Sequence, residues 1–218
     1  MTPPLTICCP TTRVPNRSMR TLMGAASDAG LPVEILGESP IDRCRGMLAG
    51  KALTHGTPWL GWVDDDQVGT LEQMLGLMRL GEEIGADLVT GVYVCRHEAE
   101  RVQRGEVKRT TPPLNITPLA SCAITLGEGG GPVPIAHCGF GFLAVRREVF
   151  GRIEAPPCTY GKAWFLPLVA GGFHFGEDRS FGIRARAAGC NLVADTRVMI
   201  GHEGGGVYWP LSHLWVGP

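Results

Sequence analysis

The first 95 residues alternate short apolar runs with helical stretches, and this alternation narrows the fold more than any other feature. Residues 5–9 form an apolar run that ends in the turn-prone PTTRVPNR, and a helical stretch follows to about residue 29. A second strand at 33–37 leads into a helix over about 42–53. The third, at 59–63, runs into three aspartates, after which Thr70 is placed to cap a helix carrying Met74, Leu75 and Met78 on one face. Residues 87–95 give a fourth strand. Strands separated by helices predict βαβ units and a mostly parallel sheet.

After Cys95 the regularity ends. Residues 96–118 are polar and basic and read as a hairpin or long loop. A strand near 122–126, the glycine loop GEGGGP and an apolar strand around 140–145 follow. A helix over about 178–188 stops at Gly189, and a strand at 191–198 precedes GHEGGG. The aromatic tail VYWPLSHLWVGP is expected to pack back on the body. In open α/β sheets ligands bind at the carboxyl ends of strands, so the residues just after each strand are the ones to interrogate.

Several classes are excluded by composition. The 31 glycines follow no three-residue period, which removes collagen. No apolar run approaches the ~18 residues of a membrane span, and the start MTPPLTICCP lacks a basic region leading into an apolar one. The reading is a cytoplasmic protein without a membrane span. A net charge of −1 offers no basic field for bulk nucleic acid. The eight cysteines contain no CxxC and sit mostly in apolar runs, which suits buried reduced thiols.

The strongest local feature is WLGWVDDDQ. On an extended chain Asp64 and Asp66 fall on one side and Asp65 on the other. Three adjacent carboxylates repel unless a cation or a donor network neutralises them. For an isolated DDD, a solvated acidic turn is the commoner outcome. Here a strand with two tryptophans delivers the acids to the sheet edge, which favours Mg²⁺ or Mn²⁺ carrying a diphosphate. A second cluster, GGFHFGEDRSFGIRARAAG, puts Glu177 and Asp178 at a helix start, either as ordinary first-turn acids or as a base aimed at a cleft. A third, IGHEGGG, sets His202 just beyond a strand. His55, His97, His174 and His213 read as ordinary histidines, and His137 opens the segment HCGFGF.

A strand-borne DxD at 64–66, the glycine-rich HCGFGFLAVRREVF, a GED at 176–178 and a late His202, in this order, resemble a GT-A-fold glycosyltransferase of the family 2-like group. The resemblance runs from PTTR at 10–13 to GHEGG at 201–205. It implies an α/β fold of Rossmann-like GT-A type: a mostly parallel central sheet flanked by helices, with a smaller mixed or antiparallel C-terminal part. It implies one domain over 1–218, with 1–95 as nucleotide-binding half and 96–218 as acceptor and catalytic half.

By the same resemblance Thr11, Arg13 and Ser39 lie beside the nucleobase. Either Arg43 or Arg45 approaches the nucleotide, with Asp65 alongside. Asp64 faces the ribose or a metal-bound water. Asp66 binds Mn²⁺ (or Mg²⁺) with His202, Asp64 assisting, while Gly139, Phe140, Gly141 and Trp164 border donor sugar or acceptor. Asp178, next to Glu177, is the base of an inverting transfer. The implied partners are a UDP- or GDP-sugar donor and an acceptor that is a glycan, a protein, a small molecule or a modified nucleic acid. Rival readings are a retaining transferase of the same fold, possibly on hypermodified phage DNA, and a non-catalytic sugar-nucleotide-binding relative. A haloacid-dehalogenase-type phosphatase would need its acids after the first strand, and a nucleotidylyltransferase a glycine-rich loop where PTTRVPNR stands.

Overall fold

A computed structural model describes residues 3–37, 40–109, 111–121, 123–159 and 161–211. Expectations placed on Ser39, Cys122 and His213 fall outside them.

The first half follows the alternation closely. Strand β1 (Leu5–Thr11) leads through a loop to α1 (Arg17–Asp28), which Asn16 caps by accepting from the Met19 N–H. Then come β2 (Val33–Gly37), α2 (Ile41–Thr54) and β3 (Trp59–Val63). A two-residue strand β4 (Gln67–Val68) precedes α3 (Leu71–Ile84), whose start is a full capping box between Thr70 and Gln73. Strand β5 (Leu88–Val92) is shorter than the 87–95 expected.

The second half departs from the reading. Residues 96–118 are not a hairpin: α4 (Arg96–Gln103) occupies their start and the short strand β6 (Ile116–Pro118) their end. Residues 123–126 form no strand, and a 3₁₀ turn (Gly127–Gly129) follows them. Strands β7 (Pro132–Cys138) and β8 (Phe142–Arg146), helix α5 (Val149–Arg152) and the small hairpins β9 (Pro157–Cys158)–β10 (Gly161–Lys162) and β11 (Leu168–Ala170)–β12 (Phe173–Phe175) come next. Helix α6 (Glu177–Ala187) ends with Ala188 as C-cap and Gly189 at φ 75° beyond it. Strands β13 (Leu192–Met199), β14 (Gly201–Glu203) and β15 (Val207–Tyr208) complete the described chain, and β15 packs the start of the aromatic tail back on the body.

Eight strands form the central sheet in the order β2-β1-β3-β8-β5-β13-β7-β6. Six run the same way; β8 and β7 run against them. Both faces are covered, so β3 is buried throughout and its side chains alternate between two cores. Trp62 joins one core with Phe140, Phe150, Phe165 and Phe181; Trp59 joins the other with Met19, Met74 and Phe142. Strand β8 pairs antiparallel to both β3 and β5, which places residues 139–141 beside the carboxyl ends of those two strands.

Candidate functional site

The three aspartates do not continue β3 as extended chain. A turn closes at once, with the Gln67 N–H donating to the Asp64 carbonyl at 3.3 Å. Each carboxylate therefore turns to its own partners. Asp65 accepts from the backbone N–H groups of Thr12 (2.7 Å) and Arg13 (3.1 Å), tying the loop after β1 to the end of β3. Asp64 accepts twice from one guanidinium nitrogen of Arg45, at 2.9 and 3.0 Å. Asp66 Oδ2 receives Arg13 at 2.9 Å and Arg96, and lies 3.3 Å from His202 Nε2. Of the two remedies for crowded carboxylates, the donor network is in place.

Arg45 joins two distant parts of the chain. It sits on α2 with 4% of its surface exposed, over the Phe140 ring at 5.5 Å. Its second nitrogen bonds Glu177, the first residue of α6, while its Nε has no partner. Burial alone would push Arg45 toward releasing its proton, but Asp64, Glu177 and Asp178 outweigh it and raise its pKa. The same burial raises the Asp64 carboxyl even against Arg45. Burial also acts upward on Asp66; the His202, Arg96 and Arg13 contacts prevail and hold it below its ordinary value.

Backbone pairing brings His202 to Asp66. Strand β14 lies antiparallel to β4, with His202 opposite Gln67, and the Glu203 N–H donates to the Asp66 carbonyl at 2.8 Å. His202 Nδ1 is 2.8 Å from the Val94 carbonyl, to which it donates, and Nε2 is the nitrogen that faces Asp66. An imidazole anchored through Nδ1 keeps Nε2 as the nitrogen that can ligate a metal. Among the described residues no group of three His, Cys, Asp or Glu side chains is arranged as a complete cation site. Asp66 and His202 form a pair, so any ion there draws its remaining ligands from substrate and water.

A cavity of about 260 Å³ adjoins this cluster, lined by Arg45, Asp64, Asn115, Asp178 and His202 among others, with Asp66 behind His202 and not in its lining. Cys95 at the start of α4 and Glu177, Asp178 and Arg179 at the start of α6 border it. Asp178 Oδ1 accepts from the Arg179 N–H at 2.6 Å. A larger hollow of about 700 Å³ lies between α5 and α6, around Arg152 and Arg184, away from the acids after β3. Both arginines there are already spent on backbone carbonyls.

The remaining expected residues divide. Gly139 and Phe140 line the cavity; Gly141 donates its N–H to the Tyr93 hydroxyl at 2.8 Å. Thr11 closes β1 opposite Gly37, and Arg43 is exposed on α2, so of the two candidate arginines Arg45 is the one at the cavity. Arg13 carries its guanidinium to Asp66, toward the imidazole rather than along β2. Asp65 holds backbone and does not line the cavity. Trp164 is the clear correction: it is 6% exposed, donates Nε1–H to the Phe150 carbonyl at 2.8 Å and stacks edge-on with Phe150, as a core residue.

Four residues at the site escaped the sequence reading. Tyr93 and Asn115 are buried polar residues locked together, the Tyr93 N–H donating to Asn115 Oδ1 at 2.9 Å. Arg96 sits in a segment taken for a loop. Arg179 lies next to the noted acids and had only its position to recommend it.

No protein-family model matches the chain, and no curated protein matches it. Among solved structures it is similar to A197 from STIV at 15% identity, with a TM-score of 0.60 over 98% of this chain and 96% of that one. It is also similar to GalNAc-T7, solved with UDP, GalNAc and Mn²⁺, at 9% identity and a TM-score of 0.50. That match covers 91% of this chain and 43% of the other. At such identities the likeness establishes fold: the chain has a glycosyltransferase-like, Rossmann-type GT-A fold. No described helix is long and apolar enough to cross a membrane.

Proposed function

We propose that this chain transfers a sugar from a nucleoside-diphosphate sugar to an acceptor hydroxyl, with a divalent cation held by Asp66 and His202. One observation carries the reading: a carboxylate and an imidazole 3.3 Å apart, the imidazole anchored through Nδ1 with Nε2 toward the acid, beside a cavity that Asp178 enters from the start of α6. A glycosyltransferase-like fold supports it. When bound, Mn²⁺ or Mg²⁺ supplies Lewis-acid stabilisation of the charge that grows on a departing diphosphate.

The chain's own residues supply the rest. Glu177 is held by Arg45, so Asp178 is the acid free to take a proton. The acceptor oxygen bonds the anomeric carbon and its proton passes to Asp178. The bond from that carbon to the diphosphate oxygen breaks, with the electron pair leaving on the diphosphate. Attack opposite the leaving group inverts the anomeric centre. Buried Arg45 fixes Asp64 and the start of α6 relative to each other, so the base and the donor side are positioned by one cation.

Asp178→Asn keeps the size of the side chain and removes the base. With a panel of sugar nucleotides and Mn²⁺, the variant is expected to bind donor normally and to turn over roughly 10²–10⁴-fold more slowly. The product should show inverted configuration by NMR. A retained anomer, or near-normal turnover in Asp178→Asn, would remove Asp178 as base.

A further inference from the structure

One oxygen of Asp66 is crowded with positive partners. Arg13 and Arg96 both donate to Oδ2, and His202 Nε2 lies against the same atom. Arg13 has a second carboxylate in Asp65, 3.5 Å from its Nε, whereas Arg96 has only Glu100 beyond Asp66, at the longer distance of 3.9 Å. Each guanidinium carries five donors, and among the described residues Arg96 and Arg13 each give one hydrogen bond to Asp66, with ion-pair contacts at Nε to Glu100 and Asp65. Their side chains are 38% and 48% exposed, so they are accessible to a ligand.

Arg96 has a further asset in its place. It is the first residue of α4, and Cys95, the N-cap of that helix, lines the cavity. The helix's unpaired amide groups therefore add to the positive field there. A planar fork of donors beside the cavity-lining Cys95 matches phosphate oxygens better than it matches one shared carboxylate oxygen.

We infer that Arg96 binds the diphosphate of the donor, and that Asp66 holds it in position until the donor arrives. The inference rests on the donor reading above and deepens it. A carboxylate that serves a divalent cation has less charge to offer its arginines, so Arg96 passes its hydrogen bonds to the diphosphate. The departing diphosphate gains negative charge as the glycosidic bond breaks, and the guanidinium beside it meets that charge. Helix α4 thereby joins the nucleotide-binding elements, although its sequence, RHEAERVQ, is mostly polar.

The test separates diphosphate from base and ribose. Calorimetric titrations of UDP, UMP, GDP and GMP with Mn²⁺ are run on the wild type, Arg96→Met and Arg96→Lys, after each variant's fold is checked by thermal melting. The wild type should prefer the diphosphate of the nucleotide it binds. Arg96→Met should lose roughly 10- to 100-fold of diphosphate affinity and leave the monophosphate unchanged, the worth of one or two charged hydrogen bonds. Arg96→Lys, which keeps the charge but not the fork, should fall between, and it carries the test should Arg96→Met not fold. Wild-type diphosphate affinity in these variants, or equal loss for diphosphate and monophosphate, would overturn the inference while leaving the donor reading intact. A wild type that binds none of the four, with or without Mn²⁺, would overturn both.

Discussion

Gly139 has no room for a side chain. A Cβ there would lie 2.4 Å from the Tyr93 hydroxyl, and one on Gly141 would lie 2.9 Å from it. The two glycines let a buried tyrosine reach the backbone, where its oxygen takes the Gly141 N–H. Gly139→Ala should therefore cost about 1–3 kcal/mol as an overpacked site. In a Tyr93→Phe background, which removes the obstructing oxygen, the same substitution should cost less. A double-mutant cycle by chemical denaturation measures this; an equal cost in both backgrounds would place the strain elsewhere. The episode shows what single residues reveal and hide. The glycines of HCGFGF are expected to border donor or acceptor, but the residue set against them is Tyr93, 46 positions earlier at the end of an ordinary apolar strand. The aspartates, His202 and Asp178 were legible because acid runs and a histidine at strand and helix ends are chemically unusual. Trp164 misled because an aromatic in a loop looks the same in sequence whether it faces a ligand or a core.

At the scale of elements, legibility followed hydrophobic periodicity. Helix α3 showed itself through Thr70 as cap and Met74, Leu75 and Met78 on one face; Met74 is buried with Leu77 and Leu80, and Leu75 and Met78 are half-buried beside them. Helix α4 buries only Ala99 and is laced by ion pairs such as Arg101–Glu98, so it has almost no apolar stripe to read. Strand β7 contains two prolines and a histidine, which disguised it. That histidine, His137, packs against α6: a Cβ on Gly182 would come within 3.0 Å of the His137 Cβ. Burial lowers the His137 pKa, Arg179 at the start of α6 lowers it further, and Asp178 opposes both. Phe175 of β12 is the ring that faces it, at 6.3 Å. An imidazole held below its ordinary value is protonated first in the unfolded chain. Its contribution is thus complete above about pH 6.5 and is lost as pH falls from there toward the lowered native value. Melting curves between pH 7.5 and 5 should show the wild type losing more stability than His137→Gln. Parallel losses would mean that His137 does not titrate differently on folding.

At the scale of the whole molecule, the sheet explains why residues far apart in sequence meet. The 59–63 strand and the 88–92 strand are separated by β8, from the second half of the chain, and β4 is zipped to β14 by backbone pairing. Chain order alone gives the parallel run β2-β1-β3, because each connection is local. It does not give the insertion of β8 or the return of β14, which are long-range pairings with no local signature. The central claim is that this architecture assembles a cation-dependent site for a nucleoside diphosphate around Asp66. Titrating UDP and GDP into the protein with Mn²⁺ and with EDTA, and repeating this with Asp66→Ala and His202→Ala, addresses it most directly. The account predicts binding of one nucleotide that requires Mn²⁺, is abolished by EDTA and by Asp66→Ala, and is weakened by His202→Ala. Equal affinity with and without the cation would contradict it.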